Sequence, residues 1–180
     1  TIGTIAGNRT LNIAKNVEIG AGCSWLVGST SSTHSIIIQG NLVNSGTIDF
    51  TNGPNYSTTT SGVANIHFQG TTSNTSVTLN SGSSTTFFGF QSTKLTGYQL
   101  SVSASGGSTV NFVNSGNTFV ANGSGILRFG ANINIPVMIG SGGGNFDLGS
   151  SGALPTLWID GATVTDGGVT GAIVPYGTLK

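Results

Sequence analysis

Gly40-Asn41-Leu42-Val43-Asn44-Ser45-Gly46-Thr47-Ile48-Asp49-Phe50 packs three signals into eleven residues: an apolar pair, an Asn-Ser-Gly corner, and a short run with apolar residues at alternate positions. The corner returns at Asn80-Ser81-Gly82 and at Asn114-Ser115-Gly116, intervals of 36 and 34 residues. The third copy keeps the approach too, because Phe112-Val113-Asn114-Ser115-Gly116 follows the outline of Leu42-Val43-Asn44-Ser45-Gly46. Degenerate repetition at this period marks a stacked architecture in which no unit buries its apolar face alone.

Outside this stretch the same grammar holds. Apolar residues two apart recur at Leu11/Ile13, Ile36/Ile38, Ile66/Phe68, Val77/Leu79, Leu100/Val102, Val110/Phe112, Val137/Ile139, Phe146/Leu148 and Leu157/Ile159. That is the period of a strand, and Gly or a β-branched residue interrupts every window long enough for three helical turns. Two all-β families fit the spacing, a solenoid and an antiparallel β-sandwich or jelly roll. Lone glycines after strands, as at Gln39-Gly40, Gln69-Gly70 and Leu148-Gly149, outnumber Asn-Gly and Asp-Gly hairpin signals. A single residue free to take positive φ turns a strand through a corner without reversing it. The expected fold is therefore all-β, a parallel β-helix (β-solenoid), with the antiparallel sandwich as the alternative.

Residues 1–130 read as solenoid coils. Segment 51–62, Thr-Asn-Gly-Pro-Asn-Tyr-Ser-Thr-Thr-Thr-Ser-Gly, breaks the pattern and is expected to project, since insertions in repeat proteins map to surface loops. Residues 131–180 have shorter strands and more prolines, as in irregular terminal coils, a cap, or a junction to a next module. Thr1-Ile2-Gly3-Thr4-Ile5 and Tyr176-Gly177-Thr178-Leu179-Lys180 both look like coil interior, so open sheet edges are expected to meet neighbouring copies or modules.

Composition excludes several classes. Only 6% of the 180 residues are charged and the formal net charge is zero. With no basic face to release counterions, nucleic-acid binding is disfavoured. No apolar run approaches the roughly 20 residues of a membrane span. Cys23 is the only cysteine, which removes an internal disulfide and a Cys-based metal cluster; its flanks suggest a buried small residue. Few charges with abundant Ser, Thr and Asn suggest an extracellular or cell-surface setting. The start at Thr1, without initiator Met or charged-then-apolar leader, suggests a processed chain or part of a longer one.

At Gly40-Asn-Leu-Val-Asn-Ser-Gly-Thr-Ile-Asp-Phe50, echoed by Val110-Asn-Phe-Val-Asn-Ser-Gly-Asn117, the chain resembles the Gly/Asn/Ser/Thr-rich right-handed β-helix repeats of large bacterial surface proteins. These include adhesins and autotransporter-like passengers, particularly those of Bacteroidetes-type bacteria. The likeness covers Leu11 to Gly130 and implies a right-handed coil in an exported stalk or adhesive module of a longer polypeptide. The segment after Ala131 departs from it.

Candidate chemistry is sparse. Asp147, Asp160 and Asp166 are close in sequence, and glycoside hydrolysis uses two carboxylates across a bond. Each, however, adjoins a turn or strand end, where an aspartate serves the backbone. His34 and His67 are 33 apart, near the repeat length, so they could stack on adjacent coils, yet two imidazoles make an incomplete zinc site. No metal and no cofactor are expected. Tyr56, with Asn55 and Ser57, offers a flat amphipathic ring and hydrogen bonds for a surface carbohydrate, against a bland reading in which the ring covers its own coil. Trp25, Trp158, Phe87, Phe88 and Phe90 are expected as core stacks. Asn8, Asn55, Asn74 and Asn122 match the glycosylation sequon, which chance supplies readily in such a chain. Thr163-Val164-Thr165 has the spacing of a flat Thr array of the ice-binding kind but occurs once. The expected function is a non-enzymatic structural or adhesive module, a stalk or filament segment. The alternative is a β-helix that binds or cleaves polysaccharide.

Overall fold

A computed structural model describes residues 7–51, 62–112, 119–137, 146–148, 154–166, 173–175 and 178–180. The strands come in triplets, one triplet per coil. Coil 1 holds β1 (Thr10–Ile13), β2 (Val17–Ile19) and β3 (Ser24–Leu26), and coil 2 holds β4 (Thr33–Ile38), β5 (Leu42–Asn44) and β6 (Thr47–Asp49). Coil 3 follows with β7 (Val63–Phe68), β8 (Thr75–Leu79) and β9 (Ser84–Phe87), and coil 4 with β10 (Gly89–Thr93), β11 (Gln99–Ala104) and β12 (Thr109–Phe112). Then come β13 (Phe119–Asn122), β14 (Ile126–Phe129) and β15 (Asn134–Val137), and after them β16 (Phe146–Leu148), β17 (Thr156–Ile159) and β18 (Thr163–Asp166). A seventh coil contributes β19 (Ile173–Pro175) and β20 (Thr178–Leu179).

Every third strand shares a sheet. The first face is β1-β4-β7-β10-β13-β16-β19 and the second is β2-β5-β8-β11-β14-β17-β20. The third is β3-β6-β9-β12, and the β15-β18 pair continues the same order beyond it. Pairing is parallel throughout, as in Ser35 opposite Asn65 and Leu100 opposite Thr75. Consecutive segments thus turn onto different faces instead of doubling back, which defines a parallel β-helix and rules out the antiparallel sandwich. The first two sheets continue without a break past Ala131.

Alternation along each strand fills the bore. Leu42, Val77, Val102 and Phe129 stack in register on the second sheet, and Ile36, Ile66 and Phe90 on the first, each at most 1% exposed. Rings from the third sheet meet them: Phe87 lies 5.6 Å from Phe112 and 5.3 Å from Phe90, and Trp25 meets Phe50 edge-on at 5.1 Å. Aromatic contacts of this kind add roughly 0.5–1.5 kcal/mol per pair beyond area burial.

Corners between the second and third sheets carry most of the positive-φ residues among those described. Gly82 (φ +78°) and Gly107 (φ +82°) occupy equivalent turns, closed by Ser83 N–H to Asn80 O at 3.0 Å and Ser108 N–H to Ser105 O at 3.2 Å. Asn132 (φ +62°) takes that place in coil 5, its amide donating to Ala104 O at 3.0 Å. Asn is the side chain that tolerates this conformation best after Gly. Coil 2 has no such turn. There the corner is only Ser45-Gly46, and a Cβ on Gly46 would collide with the carbonyl oxygens of Gly20 and Cys23 in the coil beneath.

Register also corrects the apparent period. Unembellished coils advance by 25 residues, as from Thr10 to Ser35 or from Thr75 to Leu100. Insertions stretch the step from Thr47 to Ser84 to 37. The first two Asn-Ser-Gly copies do share a corner, where Asn80 Nδ2 donates to Ser45 Oγ at 2.8 Å. The third lies outside the described residues, between β12 and β13, and so follows a different face.

Candidate functional site

The sequence candidates do not converge. Asn55, Tyr56 and Ser57 lie outside the described residues. The strands that carry the aspartates place them on three faces: Asp147 on β16 of the first sheet, Asp160 directly after β17 of the second, Asp166 at the end of β18. Asp160 is engaged by Arg128, whose Nε donates to Oδ2 at 2.8 Å and whose Nη2 also contacts it. Among the described residues no group of three or more His, Cys, Asp or Glu could hold a metal ion.

The two histidines occupy neighbouring strands without stacking. His34 is opposite Ala64, and His67 is opposite Ile37, so they are three positions apart in register. They also face opposite ways: His34 points into the bore with Ile36 and Ile38, whereas His67 lies on the outer side between buried Ile66 and Phe68. His67 is well partnered. Its Nδ1 accepts from Gln69 Nε2 at 3.2 Å, which leaves Nε2–H to donate to Thr93 Oγ1 at 2.8 Å. Burial holds its pKa below the ordinary 6.5.

Asparagine does structural work at the coil entrances. The Oδ1 of Asn8 accepts from Thr33 N–H and that of Asn74 from Gln99 N–H, both at 2.9 Å and both one coil on. Asn16 bonds Asn41 N–H in the same way at 2.9 Å, and Asn41 bonds Ser76 N–H at 2.8 Å. These side chains extend the main-chain ladder by one rung where the strand has yet to begin. Asn8 and Asn74 are exposed, and the Asn122 side chain is outside the described set. Cys23, expected to be buried, is exposed at the corner after β2, where its N–H closes a turn on Gly20 O at 3.0 Å.

Trp158 corrects the core-stack reading. Leu157 and Ile159 turn inward, so Trp158 faces out from the second sheet, with Arg128 and Lys180 on the coils to either side. The Arg128 guanidinium lies 4.5 Å and the Lys180 ammonium 4.2 Å from the ring centroid. This Arg–Trp–Lys ladder was not foreseen, although the Leu157/Ile159 alternation already implied an outward Trp158. Trp25 is partly buried, and Phe87, Phe88 and Phe90 are in the core. Thr163 and Thr165 are opposite Asn134 and Pro136, so adjacent coils do not repeat the Thr pair.

Lys94 is the other charged group with a defined role. It is 2% exposed, and its ammonium donates to Ser73 O at 3.0 Å and to Gly70 O, both in the corner of the preceding coil. Burial pulls its pKa from 10.5 to about 8.

No protein-family model matches the chain, and no curated protein or solved structure matches it. Among the described residues no helix is long and apolar enough to cross a membrane.

Proposed function

We propose that this chain is a non-enzymatic, extracellular structural or adhesive module, a stalk or filament segment of a cell-surface protein that stacks end to end with neighbouring copies or modules. Coil 1 carries the reading. In contrast to the fully buried Ile36, Ile38, Leu42 and Ile48 of coil 2, its bore positions Leu11, Ile13, Val17, Ile19 and Trp25 are all partly exposed. Among the described residues β1, β2 and β3 each pair on one side only, leaving three parallel edges. A further coil of the same kind would satisfy those edges and cover the bore, adding strands as every internal coil does.

Mechanically, such a module resists extension because each coil is joined to the next by two or three ladders, and coils 1 to 4 also by the asparagine rungs. Among the described residues the outward strand positions are mostly polar, with few charges, which suits a spacer more than a pocket. Electron microscopy of purified protein at increasing concentration tests the proposal. Rods that lengthen with concentration are expected, and isolated compact particles at every concentration would count against it.

A further inference from the structure

His34 stands at the start of β4, 1% exposed, and neither ring nitrogen has a hydrogen-bond partner. A buried imidazole without partners is costly and calls for an explanation. Its position is at a joint. Ser35, next to it, donates its N–H to Arg9 O at 2.8 Å in coil 1, and Ala64, opposite it in coil 3, is the second residue of β7, which starts directly after segment 51–62. Both ends of that segment are tied down beside His34: Val63 N–H donates to Ser32 O at 2.9 Å and Ala64 N–H to Phe50 O at 3.0 Å. The corner has no slack, since a Cβ on Gly62 would collide with Gly28 O and crowd Thr30 O.

Charge around this joint is one-sided. Corner residues 28–33 contain no Asp, Glu, Lys, Arg or His. From coil 1 the charged neighbour is Arg9, of the same sign as an imidazolium. On β6 the only carboxylate is Asp49, whose Oδ1 is held by Thr51 N–H at 2.9 Å and Thr51 Oγ1–H at 2.6 Å. On β7 the only titratable group is His67, on the opposite face.

We propose that His34 is an acid-operated latch between corner 28–32 and the start of β7. Protonation of its ring unpacks corner 28–32 from residues 62–64 while the apolar columns of the later coils stay stacked. Burial first, and the Arg9 charge second, hold the His34 pKa below 6.5. The closed joint is therefore fully favoured above pH 6.5 and loses ground as pH falls, because the opened corner binds the proton first. The opening equilibrium rises by at most about tenfold per pH unit, or roughly thirtyfold between pH 7.5 and 5.0.

Amide hydrogen exchange, corrected for intrinsic rates at the two pH values, tests this on the whole chain. Peptides covering 28–34 and 62–66 should lose protection by up to about thirtyfold at pH 5.0, while those covering β8 and β11 hold. His34→Phe should abolish the loss and His67→Gln should retain it. Equal protection of the wild type at both pH values, or an undiminished loss in His34→Phe, would overturn the latch. If His34→Phe does not fold, the wild-type His34 Cε1 proton resonance decides. Staying at its neutral position until residues 62–66 open supports the proposal, and an ordinary titration near pH 6.5 in the closed state refutes it.

Discussion

The side-chain amide of Asn44 donates a 2.8 Å hydrogen bond to the hydroxyl of Thr85, one coil on, and both residues are fully buried. The same amide reaches Ser84 O at 3.1 Å, and Asn44 Oδ1 accepts Gly46 N–H at 2.9 Å. One side chain thus replaces the turn that other coils build from a positive-φ residue. Asn44→Leu should cost about 2–4 kcal/mol in denaturant unfolding, because it strands Thr85 Oγ1 and Gly46 N–H in the bore. Asn44→Leu combined with Thr85→Val should recover part of that loss. A double mutant no more stable than the single would argue against the bond.

Gly46 and Gly106 make a matched pair for backbone space. Nothing lies within 4 Å of a Cβ built on Gly106, whereas one on Gly46 meets the carbonyls of the coil beneath. Gly46→Ala should destabilise by about 2–3 kcal/mol through forced displacement of that coil. Gly106→Ala should be neutral or stabilise by up to about 1 kcal/mol by restricting the unfolded chain. Thermal unfolding of the two variants separates these outcomes.

Lys94 should give an alkaline signature. Its folded-state pKa of about 8 lies below the unfolded 10.5, so between those values the unfolded chain holds more protons and stability rises with pH. Below pH 8 both states are protonated and the slope vanishes. Lys94→Met should remove that alkaline rise and leave Gly70 O and Ser73 O without the ammonium. Denaturant midpoints across pH 7–10.5 for both proteins would show it, and parallel curves would contradict it.

The Arg128–Trp158–Lys180 ladder should be modest in energy, since it lies at the surface. Lys180→Gln and Arg128→Gln should each cost about 0.5–1 kcal/mol. Both should increase acrylamide quenching of Trp158 read in a Trp25→Phe background.

Much of this architecture was legible because period-2 alternation survives degeneracy. Leu42, Ile48 and Phe50 mark the inward face in the sequence as they do in the structure, and Asn80-Ser81-Gly82 marks a corner. Coil length was not legible. Insertions such as 51–62 lie at corners, where they leave the ladders intact, so steps of 25 and 37 residues coexist and a motif interval of 36 is mistaken for a unit. That error made His34 and His67 look like stacked partners, although the alternation around each one separates them. Trp158 was misplaced by residue type, since large aromatic rings are usually buried, against the testimony of its own neighbours. The Lys94 and His34 environments depend on which corners touch, and no local pattern encodes that.

The most direct test is the set of amide-to-Hα nuclear Overhauser contacts between strands in solution. Parallel stacking predicts a continuous series on the second sheet joining Ser76 to Ser101, Ser101 to Arg128 and Arg128 to Trp158, each a full coil apart. Contacts that instead pair consecutive strands in opposite directions, such as β8 with β9, would contradict the coil and everything built on it.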